Sequence, residues 1–153
     1  MNKSLTILMV MVGVRFVCAG PAYTNTVTEA EMIQGPVVRT ALTWFSGTNN
    51  DSVAATTTKY FRGDIKRIVF VPDATYPAST DFDVTLKDAA GVDILAGRGA
   101  DISSNAVVNL VPGASIVNAD TTNIVPFIVN DRLAVAITNC GNLTSGQIII
   151  YTE

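Results

Sequence analysis

Short segments in which apolar and polar residues alternate recur along this chain, separated by turn-forming clusters about every ten residues. Residues 36–45 open the series, with Val38, Leu42 and Trp44 on one face, and 46–51 is a turn cluster. Residues 53–60 form a Thr-rich strand that Arg62-Gly63-Asp64 breaks. Residues 65–71 follow, with Ile65, Val69 and Val71 on one side and Ile68 and Phe70 on the other, which predicts burial of both faces. Past a loop at 74–80, Phe82, Val84 and Leu86 alternate with Asp83, Thr85 and Lys87, the pattern of a half-buried strand. Asp88-Ala89-Ala90-Gly91 is a hairpin connection in which Gly91 supplies a positive φ, and 92–95 is the expected return strand. Gly97-Arg98-Gly99 then leads the chain out of the sheet. Residues 106–111, 124–129, 133–138 and 147–151 complete the set, with turns at 130–131 and at 139–142 around Gly141. Pro126 inside its segment argues for an edge position or a bulge. No i, i+3, i+4, i+7 stripe is sustained, so helix is limited to one turn near 100–105. The expected fold is all-β: a β-sandwich or jelly roll of about eight strands over residues 35–153, preceded by an extended apolar N-terminal arm.

Residues 1–34 admit three readings. Lys3, an apolar run over 5–14 and the small residues around Val17-Cys18-Ala19 have the layout of a secretory signal, although Arg15 interrupts it. The run is shorter than the ~18 residues a membrane span needs. As an extended arm, the segment would put Thr6, Leu8, Val10, Val12 and Val14 on one side and Ile7, Met9, Met11 and Gly13 on the other. A strand apolar on both sides needs cover from its own domain or a neighbour. Leu5, Ile7, Leu8, Val10, Val12, Val14 and Phe16 are then the assembly residues. The third reading is a start at Met32. All three set 1–34 apart from the folded domain, with a polar stretch at 23–31 between.

Composition narrows the function classes. Val, Ile and Thr number 19, 13 and 18, about a third of the chain, which favours strands. Charged residues are 15%, the net charge is −3 and the pI is near 4.8, which argues against a basic nucleic-acid surface. The absence of histidine removes imidazole triads and histidine-ligated zinc. Cys18 and Cys140 form no CxxC, and Cys140 reads as a free thiol in a turn.

Each candidate motif has a plain structural explanation beside it. Asp81, Asp83, Asp88, Asp93 and Asp101 cluster in sequence, but their spacing fits no EF-hand and a solvated face explains them. Gly97-Arg98-Gly99 lacks the third glycine and the helix of a dinucleotide site, leaving a loop with a geometric role for Gly97 and Gly99. Arg62-Gly63-Asp64 matches an integrin-binding tripeptide, and a turn entering the next strand explains it equally. Asn50-Asp51-Ser52 and Asn142-Leu143-Thr144 are formal glycosylation acceptors. Trp44 alternates with apolar residues and is expected in the core rather than on a sugar-binding face. No nucleophile-elbow, β-lactamase, zincin or phosphate-loop motif occurs, and no catalytic, metal or cofactor residue is assigned.

The segment 81–101, DFDVTLKDAAGVDILAGRGAD, resembles a hairpin carried by a group of small tailed-bacteriophage structural proteins. The likeness extends back through 63–72 and forward to 133–142 and 145–151, covering roughly 35–152. It implies a non-enzymatic virion component, a capsid decoration or cement protein with a jelly-roll-like fold. The implied partners are the major capsid protein or other virion subunits, in repeated copies or a homo-oligomer, with no nucleic acid and no membrane. The apolar leader departs from that group. It keeps a second expectation open, a secreted or surface β-sandwich module binding carbohydrate or mediating adhesion.

Overall fold

A computed structural model describes residues 24–48, 51–57, 59–115, 124–125 and 127–153. Eleven strands are defined among them: β1 (Thr26–Gln34), β2 (Val37–Phe45), β3 (Val53–Thr56), β4 (Phe61–Pro72), β5 (Asp83–Lys87), β6 (Val108–Leu110), β7 (Ala114–Ser115), β8 (Ile124–Val125), β9 (Ile128–Asp131), β10 (Ala134–Thr138) and β11 (Ser145–Thr152). The described residues contain no helix.

Two antiparallel sheets face each other. The large sheet runs β1-β2-β11-β4-β6, with β9 pairing the first residues of β4, and the small sheet runs β3-β10-β5. A short hairpin, β7-β8, stands apart from both. Between the sheets lies one apolar cluster. Leu42, Trp44, Ile68, Phe70, Ile148 and Ile150 of the large sheet meet Val53, Val84, Leu86, Val135 and Ile137 of the small one. This is the sandwich expected from period-2 alternation, and Trp44 lies in its core, ring to ring with Phe82 at 5.6 Å. The pairings are nested: β2 with β11, β3 with β10, β4 with β9.

Several segments depart from the sequence pattern for identifiable reasons. The polar stretch before Gly35 is a strand: β1 pairs with β2 along nine residues, from Thr26↔Phe45 to Gln34↔Val37. It therefore lies inside the 1–34 segment set apart as an arm or leader, and Met32 falls within it. Only its Val27 packs against the core, which is why its alternation looks polar. Arg62-Gly63-Asp64 is not a turn but part of β4, which runs uninterrupted for twelve residues. Ile65 faces the core together with Ile68 and Phe70, contrary to strict alternation. The register of β4 on β11 shifts between Tyr151↔Arg67 and Thr152↔Ile65, and this bulge moves Ile65 to the other face. Val69 does point outward, packing with Ala41 and Ile149 in a second small cluster.

The expected return strand at 92–95 does not form. A single bridge, Lys87↔Asp93, follows the Gly91 turn, and the chain then passes through successive turns to Asp101, in place of the one helical turn expected near 100–105. This loop nevertheless seals the edge of β5. The N–H of Val84 donates to Gly99 O at 2.7 Å, that of Ile94 to Leu86 O at 2.8 Å, and Phe82 and Ile102 exchange bonds of 3.0 and 2.8 Å. Ile94, Leu95 and Ile102 are buried, so the loop also closes one end of the core. The segment 124–129 is likewise split, with β8 and β9 on either side of Pro126, which is outside the described residues.

Candidate interaction surface

The loops are organised by the acidic residues that the sequence groups as a solvated face. Asp93 Oδ1 accepts the N–H groups of Leu86 and Leu95 at 3.1 and 3.2 Å, and its Oδ2 accepts that of Gly97 at 3.0 Å. Asp88 accepts the Val92 N–H at 2.8 Å and Asp81 that of Ser104 at 3.1 Å. Asp83 accepts the Asp101 N–H at 3.0 Å and the Asn139 side-chain amide at 2.7 Å. These carboxylates serve as side-chain caps for backbone donors that a helix or ladder would otherwise satisfy. Among the described residues no group of three acids or thiols is arranged to hold a metal ion.

Of the glycines expected to make turns, Gly91, Gly97 and Gly141 adopt positive φ. Gly99 acts differently, by close approach: its backbone lies against β5, where a Cβ would overlap the Val84 carbonyl oxygen. Arg98 between them donates to Leu95 O at 3.4 Å and Gly113 O at 3.2 Å, pinning the loop to the segment after β6. In the tripeptide 62–64, Gly63 has φ +97 and its neighbour Asp64 exchanges N–H···O bonds of 3.0 and 3.1 Å with Glu153. Strand β9 pairs with the same residues, Gly63↔Val129 and Asp64↔Ile128. The tripeptide is strand backbone held between neighbours, not a projecting loop.

Cys140 is a buried free thiol, as expected of an isolated cysteine. Its Sγ donates to Asp51 O at 3.1 Å, and burial pushes its pKa up. Around it, Ser46 and Thr144 bond reciprocally: the Ser46 N–H donates to Thr144 O and the Thr144 N–H to Ser46 Oγ, both at 2.9 Å. This network ties the 139–144 turn to the end of β2. Thr144, the last residue of one glycosylation tripeptide, is buried in it; Asn50 of the other lies outside the described residues.

Two surface features stand out. Some exposed large apolar residues lie on or beside the lateral strands of the large sheet, while Tyr60, Tyr76, Val92 and Leu143 are exposed in loops. Ile33 on β1 is 68% exposed and Ile128 on β9 78%, with Met32 also exposed on β1 and Val107 and Val111 flanking β6. The second feature is the outer face of the small sheet. Its outward positions form two rows across three strands, Ala54–Ala136–Thr85 and Thr56–Ala134–Lys87. They line a shallow groove of about 370 Å³. Sequence reasoning misses this groove because small residues give weak alternation; the signal is the run of alanines and threonines in β3 and β10.

The arm residues Leu5, Ile7, Leu8, Val10, Val12, Val14 and Phe16 lie outside the described residues, as does Cys18. No helix among the described residues is long and apolar enough to cross a membrane. No protein-family model and no curated protein matches this chain.

Proposed function

We propose that this chain is a non-enzymatic structural subunit of a tailed-bacteriophage particle, in a decoration or cement role, that binds the capsid or neighbouring subunits. The observation that carries the reading is the distribution of exposed apolar residues, with Ile33 at one lateral end of the large sheet and Ile128 at the other. A sheet that exposes apolar side chains at both lateral ends suits repeated copies, in which weak contacts add up to strong attachment. The resemblance of the 81–101 hairpin to small phage structural proteins supplies the particle. The nested pairing of β2 with β11, β3 with β10 and β4 with β9 supports a jelly-roll reading, with the 93–102 loop where a further strand would sit on β5. The N-terminal arm, Leu5 to Phe16, is a further contact to other virion subunits in this reading. Few surface charges and an acidic balance keep such a subunit off the packaged genome.

The test is made on particles. Purified virions should contain the chain in many copies. Ile33→Glu and Ile128→Glu should lower its occupancy while leaving thermal unfolding unchanged. A chain missing from particles and recovered as a monomer from the medium would overturn the proposal. That result would favour the second reading, a secreted or surface binding module, to which the signal-like layout of residues 1–20 points.

A further inference from the structure

The outer face of the large sheet, turned away from the core, has the opposite charge to the chain as a whole. The ladder registers set its outward side chains in rows across β1, β2, β11 and β4. The middle row is Ala30–Ala41–Ile149–Val69. Its last three members form a small buried cluster, and Val71 and Tyr151 pack against it. On one side of it lies the row Met32–Arg39–Tyr151–Arg67, and on the other Thr28–Thr43–Gln147–Val71. These positions hold two arginines and no carboxylate, in a chain whose net charge is −3.

The two guanidinium groups are not neutralised. Arg67 stacks over the Tyr151 ring, 5.5 Å from its centre, and its Nε donates to the Asn109 side-chain oxygen at 2.8 Å. Among the described residues neither Arg67 nor Arg39 pairs with a carboxylate, whereas Lys59 is paired with Glu31 and Lys66 with Asp64 and Glu153. Arg39 on β2 and Arg67 on β4 flank β11, so their backbones stand about 10 Å apart with Tyr151 between them. Met32, at the β1 end of the row, is exposed. Arginine, tyrosine and methionine are the residue types enriched where proteins meet, and desolvated arginines there call for acidic partners.

We propose that the row Met32–Arg39–Tyr151–Arg67 seats an acidic partner protein, whose carboxylates meet the two arginines while its aliphatic side chains cover Tyr151 and Met32. A second copy of this chain fits poorly. Joined through the same face, two copies put four guanidinium groups and no carboxylate into one interface, and like charges in contact are costly. The acidic loops of a copy are poor partners too, since Asp81, Asp83, Asp88 and Asp93 already accept backbone N–H groups. The partner is therefore a different protein. Under the particle reading, on which this inference rests for its partner, that protein is the capsid surface, and the lateral ends at Ile33 and Ile128 are left for neighbouring copies.

Particles assembled without this chain, mixed with the purified full-length protein over a series of salt concentrations, test the assignment. The parent should attach, and lose occupancy as salt screens the arginines. Arg39→Gln/Arg67→Gln should weaken attachment at least about tenfold at low salt and flatten its salt dependence. Arg39→Lys/Arg67→Lys, which keeps both charges, should retain most of that dependence. Arg39→Gln alone leaves the Arg67–Asn109 bond in place and should already lower the salt slope, with thermal unfolding unchanged. Attachment of the double glutamine variant equal to the parent at every salt concentration would overturn the assignment and leave the particle reading standing. Self-association of the isolated parent that the double substitution abolishes would also overturn it, by making a second copy the occupant. A parent protein that attaches at no salt concentration would overturn the particle reading and this assignment together.

Discussion

Gly99 lies directly against Val84: its carbonyl oxygen accepts the Val84 N–H at 2.7 Å, and a Cβ on Gly99 would overlap the Val84 carbonyl. The contact replaces a strand. Where an ordinary ladder would continue the small sheet beyond β5, loop backbone is brought in at ladder distance, and only glycine permits it. Gly97, two residues earlier, differs instructively, for it has φ +77 and a Cβ there would meet nothing within 4 Å. Gly99→Ala should therefore cost at least about 2 kcal/mol through steric displacement of β5. Gly97→Ala should cost about 1 kcal/mol through backbone strain alone. Thermal unfolding of the two variants checks the order: a melting temperature lowered by roughly 6 °C for the first and about 3 °C for the second. Equal losses would mean that the loop can move away from β5.

The strand content is legible in the sequence because most strands here have one buried face, and period-2 alternation records that face directly. Phe82, Val84 and Leu86 are the clearest case, each buried while Asp83, Thr85 and Lys87 are not. Three features are not legible. Strand β1 pairs fully with β2 but buries little, so its alternation carries no apolar signal. The bulge opposite Tyr151 is a property of two strands together and leaves no mark on either alone. At 92–95 the residues Val92, Ile94 and Leu95 have strand composition, but Asp93 draws three backbone N–H groups onto its own carboxylate and bends the chain into turns. The exposed apolar positions are legible only in part, since exposure of Ile33 or Ile128 depends on which strand ends a sheet.

That role of Asp93 gives a second expectation. Asp93→Ala removes the acceptor for the N–H groups of Leu86, Leu95 and Gly97, of which that of Leu86 lies in the sheet itself. Hydrogen bonds to a charged acceptor contribute about 1.5–3 kcal/mol when their loss leaves donors unmet. A destabilisation of about 2–3 kcal/mol is expected by urea denaturation, with Asp93→Asn losing less because its amide oxygen still accepts. Millimolar calcium should leave the midpoint of the parent protein unchanged. A calcium-dependent rise would instead show that these carboxylates ligate a cation.

Acid sensitivity should trace to Asp73. Its Oδ2 accepts the Ser145 hydroxyl at 2.7 Å and its Oδ1 accepts the N–H groups of Thr75 and Tyr76 at 2.7 and 3.1 Å. The Ser145 bond foremost, then the two backbone bonds, holds its pKa below the ordinary value of 3.8. On acidification the unfolded chain takes up this proton first, so the unfolded state gains protons over the native one and stability falls. The contribution is whole above the ordinary carboxylate range and disappears as pH drops through the lowered native value. Asp73→Asn should thus be less stable than the parent at neutral pH and converge with it in strong acid. A gap of constant size over that range would assign the effect to packing rather than to charge.

Cys140 makes the opposite, alkaline expectation. Burial disfavours its thiolate and raises its pKa above the ordinary value of 9.0, and its proton is committed to Asp51 O. Above that pH the unfolded thiol ionises while the native one resists, so the unfolded state binds fewer protons and stability declines as pH rises. Cys140→Ala should lose this alkaline decline while also losing some packing at neutral pH. The same burial should make the native thiol slow to alkylate. With Cys18→Ser as background, iodoacetamide in mildly alkaline buffer should modify Cys140 at least about a hundredfold more slowly in the folded protein than in urea, since reaction must wait for local opening. Rapid labelling of the folded protein would show that the 139–144 turn opens readily, and that the reciprocal Ser46–Thr144 bonds do not hold it closed.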